Sequence, residues 1–346
     1  MFTQPFSPNI LDKLPNPLIL VSVTRQVTYA NPAAIAVFDN ISVGYDLALT
    51  LRLPQVLDAV ARALTEKIAQ SDQFTMTGPV PRVFDLHAVP VTDGCLLSLT
   101  DKTALVHAER MRADFVANAS HELRSPLSAI IGFIETLQGP AKNDISARER
   151  FLSIMSREAR RMNRLIDDLL SLSRVELDEH VRPLDRVDLH QILGSVTDLL
   201  SDRADAKAIK IELSDAVVTP KIVGDPDQLF QVFRNLVENA VNYSPNGSTV
   251  KVKIDPTTTL SNSREPGIAV HISDQGEGIA KQHLPRLTER FYRVDPARGK
   301  TGGDGPVSTG LGLAIVKHIV NRHRGRLIID SEIGNGSTFS IILPLR

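Results

Sequence analysis

The side chains best suited to chemistry lie in two parts of the chain. In "FVANASHELRSPLSAII", His121 is followed directly by Glu122 and five residues later by Pro126. Imidazole, with a pKa of about 6.5, is largely neutral at pH 7 and is therefore a competent nucleophile. The neighbouring carboxylate of Glu122 can hold the ring's other nitrogen or take its proton. A lone helical histidine is more often a solvated surface group, but Pro126 argues against that reading. It cannot donate a backbone bond to Glu122, and a proline inside a helix costs about 3 kcal/mol, so the bend needs a reason. The second part runs from "NLVENAVNY" to "STGLGLAIV". Asn235 and Asn239 are four apart on one helical face, where amide oxygens can meet Mg²⁺ or phosphate. Asp274 ends an apolar run and is followed by Gly276 and Gly278, so a carboxylate stands where the backbone can come close to a ligand. Gly310 and Gly312 immediately precede an apolar helix whose bare amides can face phosphate.

Three blocks of chain must position these residues. At 346 residues, the length suits two or three domains. Hydrophobic and charged fractions of 42% and 23% are those of an ordinary soluble protein. With 39 basic against 40 acidic residues, a net charge of -1 gives no electrostatic case for binding nucleic acid or an anionic membrane. A single cysteine, Cys95, excludes an internal disulfide and a cysteine-based metal site. The longest early apolar run, Leu18 to Val23, is too short to span a bilayer, which takes about 20 residues. A cytoplasmic chain is expected, with membrane contact only through a segment preceding Met1.

Residues 1–102 read as α/β: a hairpin in "PLILVSVTRQVTYAN", a short helix opened by Asn31 and Pro32, then strands "RVFDLHAVPV" and "GCLLSLTD" around a Thr92-Asp93-Gly94 turn. Residues 103–180 read as a helical hairpin. Phe115, Ala119, Leu123, Leu127, Ile130, Ile134 and Leu137 keep a three/four spacing, as do Phe151, Met155, Met162, Leu165, Leu169 and Leu172. At about 100° per residue, His121 stands roughly 200° from Ala119 and Leu123, across from that stripe. Gly139 and Pro140 stop the first helix, and Ser146 with Glu149 reads as a capping box for the second. Two amphipathic helices leave a stripe uncovered, which predicts a homodimer closed as a four-helix bundle. Residues 181–346 read as an antiparallel-rich sheet with helices on one face, one of them opened by Asp225 and Pro226.

"SHELRSPL" resembles the H-box of sensor histidine kinases. "NLVENAVNY", "DQGEGI", "ERFYRVD" and "STGLGLAIV" follow in the order of that family's N, first glycine, F and second glycine boxes. The resemblance implies a PAS-like sensor domain, a dimeric phosphotransfer hairpin and a Bergerat-type ATPase sandwich. It implies that His121 accepts phosphate from ATP, with Glu122 as base or orienter and Ser125 orienting water for dephosphorylation of a response regulator, the expected partner. Asn239 is implied as the Mg²⁺ ligand. Asn235, Asn242, Tyr243, Asp274, Gly276, Gly278, Thr309, Gly310, Leu311 and Gly312 are implied to line the nucleotide. Phe291 and Tyr292 are expected at the entry to a Gly-rich lid containing Arg298 and Lys300, and "GNGSTFSI" matches the last glycine box. Asn242 departs from the family, where a lysine usually precedes the tyrosine and meets phosphate. Within the family, "DFVANASHELRSPLSAIIGFIETL" and "RRMNRLIDDLLSLSRVE" look most like the sensor kinases of phosphate regulons. Two rival readings remain open at this point: an ATPase of the same sandwich that never phosphorylates itself, and a scaffold that binds regulators but no ATP.

Overall fold

A computed structural model describes residues 8–38, 41–78, 80–214, 220–259, 266–294 and 309–345. The chain divides into two compact units, Met1–Ala117 and Asn118–Arg346.

In the first unit, α1 (Pro8–Leu11), β1 (Leu18–Ser22), β2 (Val27–Ala30), α2 (Pro32–Val37), α3 (Leu47–Thr50), α4 (Pro54–Glu66), β3 (Gln70–Met76), β4 (Arg82–Val91) and β5 (Gly94–Asp101) precede α5 (Thr103–Gln138). The strands form one antiparallel sheet in the order β2-β1-β5-β4-β3. Alternate residues of β4 and β5, among them Phe84, Leu86, Leu97 and Leu99, are fully buried. They pack with Val56, Ala59, Val60 and Ala63, which the helical period brings to one face of α4. Asn31 opens α2 as expected: its Oδ1 accepts from Ala34 N at 2.9 Å and also from Leu18 N, tying the helix to β1. Between β4 and β5 the turn is Thr92-Asp93 alone. Gly94 already belongs to β5, where a Cβ would stand 1.9 Å from Val21 O.

The second unit continues along α5 into α6 (Ile145–Leu177), β6 (Arg186–Val187), α7 (Leu189–Asp205), β7 (Lys210–Ser214), β8 (Ile222–Val223), α8 (Pro226–Tyr243), β9 (Thr249–Thr259), β10 (Pro266–Ser273), α9 (Gly312–Arg322), β11 (Arg326–Glu332) and β12 (Gly336–Pro344). α5 and α6 pair as the expected hairpin, with the rings of Phe133 and Phe151 stacked at 5.0 Å. α6 starts two residues earlier than its capping-box reading implies. Asp144 is the N-cap, its Oδ1 accepting from Ala147 N at 2.9 Å, and Ser146 lies inside the first turn. Both residue types cap well, and the carboxylate has the additional advantage of facing the positive end of the helix.

The large sheet runs β11-β12-β10-β9-β7, antiparallel except where β7 pairs with β9. β12 and β10 are its central strands, and their apolar runs are almost wholly buried. α7, α8 and α9 supply the facing layer through Val196, Leu229, Val232, Phe233, Leu236, Ile315 and Ile319. Asp225 caps α8 by accepting from Asp227 N and Gln228 N, and Pro226 occupies the first helical position. His323 joins α8 to α9: Nε2 accepts from Asp225 N at 2.9 Å while Nδ1 donates to Ile319 O at 2.8 Å. Burial pushes its pKa down, so the ring is neutral and has one donor and one acceptor, as these two bonds require.

Candidate functional site

His121 is exposed on α5, and Pro126 five residues on is the buried residue of that helix. Ser125 is exposed beside them, while Ala119 and Leu123 are half-buried, so the ring stands away from the stripe as the helical angle predicts. Glu122 is not loose. Its Oε2 accepts from Arg161 NH2 at 2.9 Å, and Arg161 on α6 also lies 3.7 Å from Glu158. A carboxylate so held keeps one oxygen engaged and fixes the rotamer of the residue next to the histidine. Arg161 was not identifiable from the sequence, because its partner is 39 residues away and only the hairpin register brings them together.

The residues of the second cluster come from α8, the turn after β10 and the start of α9. Asn235 and Asn239 stand half-buried on one side of α8, and Asn235 Nδ2 donates to Gly312 O at 3.3 Å, fastening α8 to the beginning of α9. Asn242 follows on that side, its Oδ1 buried without a hydrogen-bond partner among the described residues. Lys207 Nζ donates to the carbonyls of Val241 and Asn242 at 2.9 Å each, so an ammonium caps the end of α8. Tyr243 is exposed.

Asp274 is buried, and its Oδ1 accepts from Gly276 N at 2.8 Å and Ser337 N at 3.2 Å. Burial raises its pKa, and those two backbone bonds oppose the rise. The glycines around it are sterically required. A Cβ on Gly276 would meet Tyr243 O at 2.8 Å, and one on Gly278, whose φ is +72°, would lie 2.0 Å from Glu332 O. Gly336, in the last glycine box, presses on Asp274 O in the same way and also forms the turn into β12, so its structural and site roles coincide.

Gly310 (φ +71°) packs against the backbone of Phe291, and Phe291 N donates to Gly310 O at 2.9 Å. Tyr292 OH bonds His283 Nδ1 at 2.6 Å, with the Arg286 guanidinium 4.3 Å above its ring. The segment expected as a lid follows these two residues, and its residues 295–308 lie outside the described residues. Arg298 and Lys300 lie outside the described residues. Leu311 is buried and precedes α9, while Thr309 Oγ1 accepts from Leu311 N at 3.3 Å. Thr309 Oγ1 also donates to Asp168 on α6 at 2.7 Å, a contact 141 residues apart that no local pattern signals.

Nucleotide chemistry fits this donor set: a buried carboxylate on a glycine turn, amides at the start of α9, and a row of asparagines between them. Among the described residues no group of three or more His, Cys, Asp or Glu side chains gathers to hold a metal.

Comparison with known proteins agrees with this geometry. Residues 111–178 match the His Kinase A (phospho-acceptor) domain, and residues 224–346 match the histidine kinase-, DNA gyrase B-, and HSP90-like ATPase family. The phosphate regulon sensor protein PhoR of Pseudomonas aeruginosa is 41% identical over 253 residues, 71% of this chain and 53% of that protein. The sensor-like histidine kinase SenX3 of Mycolicibacterium smegmatis is 38% identical over 247 residues, 71% of this chain and 61% of the other. The sensor protein SrrB of Staphylococcus aureus is 29% identical over 350 residues, 98% of this chain and 56% of its own length. The chain therefore spans about half to three-fifths of the length of these relatives. With both family domains present in order and their motif residues gathered as described, the chain belongs to the sensor histidine kinases.

Proposed function

We propose that this chain is a protein-histidine kinase that phosphorylates itself on His121 from ATP and passes the phosphoryl group to an aspartate of a response regulator, in phosphate-starvation signalling. The observation that carries the reading is the exposed His121 beside Pro126, on a hairpin that shares one compact unit with an ATPase-type sandwich. A neutral ring nitrogen of His121 attacks the γ-phosphorus, the bond to the β,γ-bridging oxygen breaks, and ADP leaves. The ring's N–H proton passes to Glu122, which Arg161 holds in place. Asp274 accepts from the adenine amino group, and the amides near Gly310, Leu311 and Gly312 receive phosphate charge. Mg²⁺, held by Asn239 and the phosphates, would neutralise charge building on the transferred group.

The remaining roles follow the same reading. Ser125, exposed one turn from His121, orients water when the regulator is dephosphorylated. A homodimer is supported by Leu127, Ile131, Ile134, Leu152, Ile166 and Leu170, apolar and exposed along α5 and α6 of the single chain. Residues 1–102 serve as a PAS-like sensor domain, a reading supported by the β2-β1-β5-β4-β3 order with its helices between β2 and β3. Residues 103–180 are the phosphotransfer hairpin and 181–346 the ATPase domain. Among the described residues no helix is long and apolar enough to cross a membrane, and we place these residues in the cytoplasm.

Calorimetric titration with ATP tests the site. Binding is expected with a dissociation constant between about 1 μM and 1 mM. Removing Mg²⁺ with EDTA is expected to weaken it roughly tenfold, about 1.4 kcal/mol. No heat of binding in either buffer would contradict the proposal.

A further inference from the structure

Within the second unit, the ATPase domain rests on the far part of α6 along a polar seam. Ser171 and Gln231 exchange hydrogen bonds at 2.8–3.0 Å, and Arg290 pairs with Glu176 at 2.7 Å. His318 meets Glu179 at 3.0 Å, and Arg322 donates to the carbonyls of Asp178 and Val181. Asp168, Leu172, Val175 and Glu179 follow a four-three-four spacing, a single stripe of α6, and Leu172 and Val175 are buried on it. Partly exposed polar pairs such as these are each worth about 0–1 kcal/mol.

The contact at Asp168 differs from the rest because it involves the phosphate end of the candidate nucleotide site. Thr309 Oγ1 gives its hydrogen to Asp168 Oδ2 and accepts the amide of Leu311, two residues ahead in the glycine segment. A hydroxyl has one hydrogen. It can go to the carboxylate of Asp168 or to a phosphate oxygen, but not to both at once. The carboxylate itself is an anion drawn to the start of α9, which is where phosphate would be drawn too. Burial pushes the pKa of Asp168 up, against the Thr309 bond and the nearby Arg234, with Glu238 and Asp167 adding to the rise.

The docked position is also offset from the phosphoacceptor. Glu122 lies opposite Arg161 and Phe133 opposite Phe151, which puts His121 level with about residue 162 of α6. Asp168 is roughly six residues further along, about 9 Å at 1.5 Å per residue. In-line transfer needs reacting atoms about 3–3.5 Å apart, so the seam describes a resting arrangement from which the phosphate end must move.

We infer that Asp168 is a positioning residue that parks the ATPase domain on α6 by taking the Thr309 hydroxyl, so that docking on α6 and nucleotide binding oppose each other. This inference rests on the nucleotide-site reading above. Because coupling between two binding events is reciprocal, a nucleotide that claims Thr309 loosens the seam by the same factor that the seam weakens nucleotide.

A double-mutant cycle on the full chain, read as the dissociation constant for ATP with Mg²⁺, tests it. Asp168→Asn is expected to tighten ATP about three- to tenfold in the parent background. In the Thr309→Val background, where there is no hydroxyl to compete for, it is expected to change affinity by less than about twofold. Asp168→Ala repeats the test with a side chain that offers no acceptor, and thermal melts confirm that each variant folds. Unchanged or weaker binding by both Asp168 variants would overturn the inference, as would equal tightening with and without the Thr309 hydroxyl. If the parent chain binds no ATP, the nucleotide site itself falls and the coupling with it; equal binding by all variants removes the coupling alone.

Discussion

Asp274→Asn should lower ATP affinity by about 10- to 100-fold while leaving the melting temperature of the chain close to that of the parent. Oδ1 of Asp274 already accepts from Gly276 N and Ser337 N. An asparagine satisfies the same two amides only by turning its carbonyl oxygen toward them. Its NH₂ then stands where the second carboxylate oxygen was, and an adenine amino group meets a donor instead of an acceptor. Leaving a buried donor unpaired costs about 1–3 kcal/mol, and every 1.4 kcal/mol is about a tenfold change in affinity. The fold is not expected to suffer. Burial raises the pKa of Asp274, so the charged form is the one the folded state disfavours, and a neutral isostere removes that cost. Binding within threefold of the parent, measured by calorimetry, would mean that Asp274 is not the adenine acceptor.

Gly278→Ala should destabilise the second unit by about 4 kcal/mol or more, a loss in the range that marks a specific steric cause. Two costs add there. The φ of +72° places an alanine in the left-handed region, for about 1–2 kcal/mol, and its Cβ would lie 2.0 Å from Glu332 O, a backbone atom that cannot swing aside. Gly334→Ala separates the two. It has a φ of +87° but no atom within 4 Å of the added methyl, so only the conformational cost applies. At about 2–4 °C per kcal/mol for a unit of this size, melting should fall by roughly 2–8 °C for Gly334→Ala and by more than about 8 °C for Gly278→Ala. Equal shifts would show that the turn carrying Asp274 can move away from β11.

How far the sequence disclosed these features depended on whether the interaction was local. The α8 start was legible because Asp225, Pro226 and Gln228 act within one turn, and β10 and β12 were legible because buried central strands read as continuous apolar runs. Strand β3 was not. In "QSDQFTM" only Phe74 is buried, as suits an edge strand, and its polar residues resemble a loop. The start of α6 was misplaced because Asp144 and Ser146 are both good caps, and only the bond from Ala147 N decides between them. For the candidate site, the motif order pointed to His121, Asn235 and Asp274. It was silent on Arg161, Asp168 and Lys207, whose partners are 34 to 141 residues distant and are set by the hairpin register, by α6 packing on α9 and by α7 packing on α8.

The most direct test is incubation of the chain with γ-labelled ATP and Mg²⁺, parent beside His121→Ala. Label that is acid-labile and base-stable on the parent, and missing from a His121→Ala variant that still binds ATP, is the predicted result. Label of the same stability persisting on His121→Ala would put the phosphoryl group on another residue and contradict the central claim.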